Sequence, residues 1–313
     1  MDLIVAARPG TVVEMYPTTD IIKTLPSLIE NTISGKTPGL SHRMLFVAES
    51  HGLGKTTLAR CVASDANPAI DDMTRRDILN GVDTHVVKFI NGATYRGLDD
   101  ARTLEKDIAE HRSVLNNAIN YFYVIDEIHR VTPAAISGML QPLEDVPENV
   151  FVIATTTDIE KLLTSDAGKE YRDGEAFLSR FQVFNFHPLD KPTTARLLMD
   201  TAKKHGFTTL TQPIAEQIYE MTKGVPRDAV KIMDRYLSHG ILDIVQEENR
   251  AEASARDLVD LYLYAAADPK MASWYQKVVP VLTGFLNTAE SGPNARTLII
   301  NTVSRYMLHG NDI

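Results

Sequence analysis

The chain has 313 residues, 44% hydrophobic and 23% charged, with a formal net charge of −9. That length can bury a sizeable core and suggests two or three domains of an ordinary globular protein. A single cysteine, Cys61, excludes a disulfide framework or a cysteine-based zinc site within the chain and reads as a small buried hydrophobe. No apolar run approaches a membrane span, and Met1 to Gly10 lacks the basic-then-apolar pattern of a signal peptide, so a soluble, cytoplasmic protein is expected. The acidic balance does not announce nucleic-acid binding, although a local basic patch is enough to meet phosphates.

Ile21 to Ile33 carries apolar residues at helical spacing. Met44 to Ala48 is a short apolar run that reads as a buried strand, followed by a glycine-bearing turn and a helix from Lys55 to about Ala63. Residues 65–83 read as a polar segment. Thr84–Ile90 is expected as a second strand, Asp99–Asn117 as a charged helix and Tyr121–Ile125 as a third strand. A Thr–Pro start opens a helix over Thr132–Leu143, and Val150–Thr155 and Phe181–Phe186 are the fourth and fifth strands. Strands alternating with helices predict a parallel sheet covered on both faces. Beyond Leu189 the pattern is helical, over Thr194–His205, Ile214–Thr222 and Arg227–Gly240. A polar stretch, Gln246–Ala255, precedes three further helices over Arg256–Ala267, Met271–Asn287 and Ala295–His309. The expected domains are an α/β domain over 1–188, a small helical domain over 189–245 and a C-terminal helical piece over 246–313.

Residues 49–57 read ESHGLGKTT, between a predicted strand and a predicted helix, which is the context a P-loop requires. Glycines let backbone N–H groups close around phosphate oxygens, and the helix N-terminus adds positive partial charge. Ser50, His51, Gly52, Leu53, Gly54, Lys55, Thr56 and Thr57 are therefore the candidate nucleotide-binding turn. Lys55 would reach the β and γ phosphates and Thr56 would ligate Mg²⁺. Glu49 stands where the full pattern has glycine.

Tyr121–Glu127 (YFYVIDE) is an apolar strand ending in two carboxylates, a Walker B arrangement. Asp126 is the second metal candidate and Glu127 the general base for the attacking water. Thr155-Thr156-Thr157 ends the next strand, and a hydroxyl there, with Thr156 as the candidate, can orient that water or meet the γ-phosphate. Arg180 just before the fifth strand and Arg227 at the entry of a later helix are two cations placed to close on the γ-phosphate.

Together these residues resemble clamp-loader ATPase subunits of the AAA+ class: bacterial gamma/tau, the small subunits of replication factor C and the large subunit of the T4-type phage loader. Asp126 to Thr157 runs without a gap along the gamma/tau pattern DEVHxLSxxxxNALLKxLEExPxxVxFxLATT, and Asn91 to Arg102 (NGATYRGLDDAR) is similar to a replication factor C segment. Ser179-Arg180-Phe181 resembles the loader's SRC motif, whose arginine finger reaches the neighbouring subunit. Gly224–Arg227 resembles sensor 2, and Arg8-Pro9 resembles the N-terminal adenine-pocket segment. The likeness covers about residues 8 to 240. It implies an AAA+ P-loop domain, a helical lid and a C-terminal collar. It also implies ATP and Mg²⁺ as ligands, and other loader subunits (a pentamer), a sliding clamp and primer–template DNA as partners. By the same resemblance Arg96, Arg130 and Thr132 would track the DNA backbone.

The chain departs from the pattern in places. The four-cysteine zinc module of gamma/tau is missing, and Gln141 stands where the family has a basic residue. The C-terminal helical region is short for a collar. These departures point to a phage-type loader more than a cellular one. Two rival readings are a branch-migration motor of RuvB type, which should end in a winged-helix domain, and a non-hydrolysing structural subunit, for which Glu49 is the best support.

Overall fold

In the computed structural model the described residues are 3–95, 97–111, 119–163 and 172–239. Arg96 and the expected helices beyond residue 245 lie outside them. The chain divides into compact units at 1–234 and 235–313, and the elements below belong to the first, except that the last helix runs on to His239.

Five parallel strands form one sheet in the order β2-β3-β4-β1-β5: β1 Arg43–Val47, β2 Val87–Asn91, β3 Tyr121–Asp126, β4 Val150–Thr156 and β5 Gln182–Asn185. All seven residues of β4 are buried, which suits a central strand of a parallel sheet. Short helical pieces, α1 Leu3–Ala6 and a helix α2 over Leu25–Ile33, precede β1. One face packs against α2 and α3 (Lys55–Asp65) through residues such as Phe46, Leu58, Val62, Phe122 and Phe151. The other face packs against α5 (Leu98–Glu110) and α6 (Pro133–Glu144) through Leu45, Leu104, Tyr123, Ile125 and Met139. Each such large side chain stabilises the fold by roughly 1.5–3 kcal/mol.

Residues 65–83, read from sequence as a polar segment, contain a helix α4 over Asp72–Asn80. Its start is made by Asp71, whose side chain accepts from the N–H groups of Met73 and Thr74, and its end by Gly81 in the left-handed region. The second strand begins later than expected because the Thr84 hydroxyl accepts from the Val86 and Val87 N–H groups and turns the chain first. Short helices α7 (Glu160–Leu163) and α8 (Arg172–Leu178) lead into β5.

Beyond the sheet come α9 (Lys191–Lys204, capped by Asp190), α10 (Gln212–Thr222) and α11 (Pro226–His239). The turn between α10 and α11 is tied back to the sheet domain: Leu189 N–H donates to the Gly224 carbonyl at 2.9 Å. Gly224 has φ +83°, and a Cβ there would collide with the Leu189 carbonyl. Glycine is required on both counts.

Candidate active site

The strand order places the C-terminal ends of β1, β3 and β4 side by side, where open parallel sheets bind their ligands. Val47 pairs with Thr156 and Ile125 with Ala154, so the chain after β1, the carboxylates after β3 and the threonines of β4 meet at one edge.

After β1 the chain turns through Gly52 (φ +86°) and Gly54 (φ +91°), conformations that L side chains avoid. A Cβ on Gly52 would also sit 3.0 Å from Arg227 Cβ and Val225 Cγ1. Glu49 is exposed, and among the described residues the non-glycine positions with positive φ are Glu127 and Lys223. The position of Glu49 therefore makes no demand for glycine in this loop.

Lys55 opens α3 and is 8% exposed, with its ammonium donating to the Ser50 carbonyl at 3.2 Å. Burial pulls its pKa down to about 8, against the opposing pull of Asp126. The Thr56 hydroxyl donates to Asp126 Oδ1 at 2.8 Å, and Thr155 donates to the same oxygen at 2.5 Å. Thr155 also accepts from the Glu127 N–H at 3.2 Å, so this one hydroxyl sets both carboxylate positions.

Glu127 is held in the left-handed region at φ +55°. Arg130 donates to its Oε2 at 2.8 Å, and His51 Nδ1 lies 3.7 Å from Oε1. The Arg130 bond, ahead of other causes, keeps the Glu127 carboxyl below the usual carboxylate range. Gly92 N–H donates to the Asp126 carbonyl at 2.8 Å, and a Cβ on Gly92 would strike the backbone of Asp126 and Glu127.

A cavity of about 690 Å³ opens beside the turn. Gly52, Leu53, Gly54, Thr56, Thr57 and Asp126 form one side, and Arg8 and Pro9 form another with the N-terminal segment. Arg227 closes the third side, its N–H donating to the Gly52 carbonyl at 3.3 Å. Five residues of α9 that sequence reasoning missed also line it: Leu197 and Thr201, and the polar set Arg196, Asp200 and Lys204 at i, i+4 and i+8 on one helix face. Tyr16 joins them, donating to Asp200 Oδ2 at 2.6 Å beneath Arg196, whose guanidinium lies 5.6 Å from the ring centre.

Other expected site residues lie elsewhere. Thr156 is fully buried, and its hydroxyl donates to the Asp158 carbonyl, accepts from the Asp158 N–H and meets His129 Nδ1. Of the β4 threonines it is Thr155 whose hydroxyl touches Asp126. Arg180 does not line the cavity; it donates to the Ala176 carbonyl at 2.5 Å and pairs with Glu144 at 3.4 Å. Arg130 is engaged with Glu127, and the Thr132 side chain caps α6 by accepting from the Ala135 N–H.

The donor set fits a nucleotide and a hard cation. Among the described residues no cluster of three or more His, Cys, Asp or Glu could hold a metal on its own. Thr56 and Asp126 offer two adjacent oxygens, the small ligand set that Mg²⁺ takes when phosphates complete its shell.

Residues 44–169 match the family model for the ATPase family associated with various cellular activities (AAA). The chain carries an AAA domain. DNA polymerase III subunit gamma/tau of Mycoplasma genitalium is 27% identical over 203 residues, covering 63% of this chain and 31% of that protein. The tau subunit of Bacillus subtilis is 27% identical over 210 residues, covering 63% and 34%, and the gamma subunit of Buchnera aphidicola (Acyrthosiphon pisum) is 22% identical over 215 residues, covering 66% and 55%. The chain thus spans between about a third and about half of these relatives. The resemblance to clamp-loader ATPase subunits read from the motifs is the one these relatives carry.

In structure the chain is similar to the Holliday junction branch migration motor RuvB of Thermotoga maritima, with a TM-score of 0.53 at 19% identity, covering 77% of this chain and 67% of that one. The Walker-type ATPase PABY2304 of Pyrococcus abyssi gives 0.51 at 12% identity, covering 85% and 81%. Both likenesses concern the fold. Among the described residues no helix is long and apolar enough to cross a membrane.

Proposed function

We propose that this chain is the ATPase subunit of a sliding-clamp loader, hydrolysing ATP in response to primer–template DNA and a clamp. The observation that carries this reading is the split site: Gly52, Gly54, Thr56 and Asp126 line one cavity, with Glu127 next in the chain to Asp126, while Arg180 pairs with Glu144 outside it. A nucleotide site without its own finger is suited to completion by a neighbouring subunit.

In this reading Lys55 and the loop N–H groups bind the phosphates, Thr56 and Asp126 hold Mg²⁺, and Arg227 closes on the γ-phosphate from the lid formed by α9–α11. Mg²⁺, when bound, would neutralise charge developing on the phosphates. Glu127 takes the proton of the attacking water and Arg180 acts in trans. Arg8 and Pro9 flank the base. Arg96, Arg130 and Thr132 are proposed to meet the DNA backbone, Arg130 by leaving Glu127. The partners would be further loader subunits in a pentamer, and the clamp.

The test is the ATPase rate with and without primer–template DNA and a candidate clamp, with Glu127→Gln as the inactive control. Stimulation by both is expected. Arg180→Ala should retain nucleotide binding and lose on the order of 10³-fold or more of the stimulated rate. Stimulation by four-way junctions instead would move the reading to a branch-migration motor, and turnover absent under all conditions would leave a scaffold.

A further inference from the structure

Behind the wall formed by Arg8, Pro9, Thr57 and Arg60 lies a second concavity, of about 200 Å³. Arg8, Arg60 and Arg76 line it, and no carboxylate does. In a chain of net charge −9, three converging guanidinium groups without an acid among them are a local excess of positive charge.

Arg60 is fixed in place. It donates to the Leu79 carbonyl at 3.3 Å, lies 5.6 Å from the Phe89 ring centre, and fills the space left by Gly81, where a Cβ would collide with the guanidinium. Its Nε is buried and makes no hydrogen bond. Burial first, and then the charge of Arg8, press its pKa down, so the two cations are close enough to feel each other. Neighbouring acids are engaged elsewhere: Asp65 accepts from the Val12 N–H at 2.8 Å and Glu14 from the Gly10 N–H at 2.7 Å. Such a group of like charges is relieved when an anion with several acceptor oxygens sits among them, and arginine meets phosphate two bonds at a time.

We propose that this pocket binds a phosphate or pyrophosphate group beside the nucleotide cavity, in a site of its own. The volume is below the roughly 300–1,000 Å³ of pockets that take drug-sized ligands, so it suits the charged group alone rather than a second nucleoside. Two sources share this chemistry: a free inorganic anion, or a second phosphate on the ribose of a nucleotide seated next door.

Arg76 lines this pocket and not the nucleotide cavity, and it is exposed, so Arg76→Ala separates the two sites without threatening the fold. With the first cavity saturated by AMP-PNP and Mg²⁺, inorganic pyrophosphate is titrated by calorimetry. Saturable binding, weakened at least tenfold in Arg76→Ala with AMP-PNP affinity unchanged, is expected for a free anion. A 3′-phosphorylated ADP that binds at least tenfold tighter than ADP, with the advantage lost in Arg76→Ala, assigns the second source. Binding of neither ligand, or binding indifferent to Arg76, overturns the proposal. Failure of AMP-PNP to bind the unsubstituted protein would sink the nucleotide reading alone; the pyrophosphate titration is therefore repeated without AMP-PNP on Lys55→Ala, whose P-loop lacks its lysine, so that this proposal is tested independently.

Discussion

Lys55 is 8% exposed, and its burial lowers its pKa to about 8, because the charged form is the one that burial penalises. Phosphates favour the charged form. Nucleotide affinity should therefore be flat below neutrality and fall as pH rises through about 8, approaching tenfold per pH unit above it. Stability of the nucleotide-free protein carries the opposite sign. The unfolded chain holds this proton up to about 10.5, so the group's contribution to stability rises between pH 8 and 10. A nucleotide titration across pH 6.5–9.5 that shows constant affinity would remove Lys55 from the phosphate site. Glu127 offers a second pH signature. Its carboxyl is depressed first by the bond from Arg130, and as a base it must be ionised. Arg130→Ala should raise that pKa and move the acid limb of the basal, DNA-free turnover profile to higher pH. An unmoved limb would mean that Glu127 is not the group titrating there.

At the scale of elements, α9 and the N-terminal segment face each other across the nucleotide cavity and are joined by the Tyr16–Asp200 bond. Burial and Asp200 both push the Tyr16 phenol above its ordinary range, so it remains a donor at any working pH. A net hydrogen bond is worth about 0.5–1.5 kcal/mol. Tyr16→Phe should therefore speed nucleotide release roughly two- to tenfold while leaving the association rate nearly unchanged. Stopped-flow release of a fluorescent nucleotide reads this directly, and an unchanged release rate would reduce the bond to decoration. This clasp was not legible in the sequence, because Tyr16 and Asp200 are 184 residues apart and neither belongs to a motif. The P-loop was legible, because Gly52, Gly54, Lys55 and Thr56 are contiguous and their chemistry is local. So were the five strands, above all β3 and β4, whose apolar runs are unbroken because the central strands are buried on both faces. Helix α4 was missed because its mostly polar face leaves Ile78 as the one fully buried side chain, and its signal was the Asp71 cap and Gly81 stop. Which β4 threonine meets Asp126 was decided by strand register, and period-2 alternation puts Thr155 and Thr156 on opposite faces.

For the whole molecule, the proposal that Arg180 acts in trans makes a prediction about mixtures. Lys55→Ala removes a subunit's phosphate site but keeps its Arg180. Arg180→Ala keeps the site and removes the finger. Each alone should be inactive. If subunits meet head to tail, as heterologous interfaces require, random one-to-one mixing sets an intact site against an intact finger at roughly a quarter of interfaces. DNA-stimulated turnover should then return to a measurable fraction of the native rate on mixing, and only after subunits have had time to exchange. If Arg180 served its own nucleotide, neither partner could repair the other and the mixture would stay inactive at every ratio. The contacts of Arg180 with Ala176 and Glu144 hold it at the end of α6, outside the cavity of its own chain. Glu144→Gln, which loosens that partly exposed pair, should leave the complementation pattern intact, because such a pair is worth little in water.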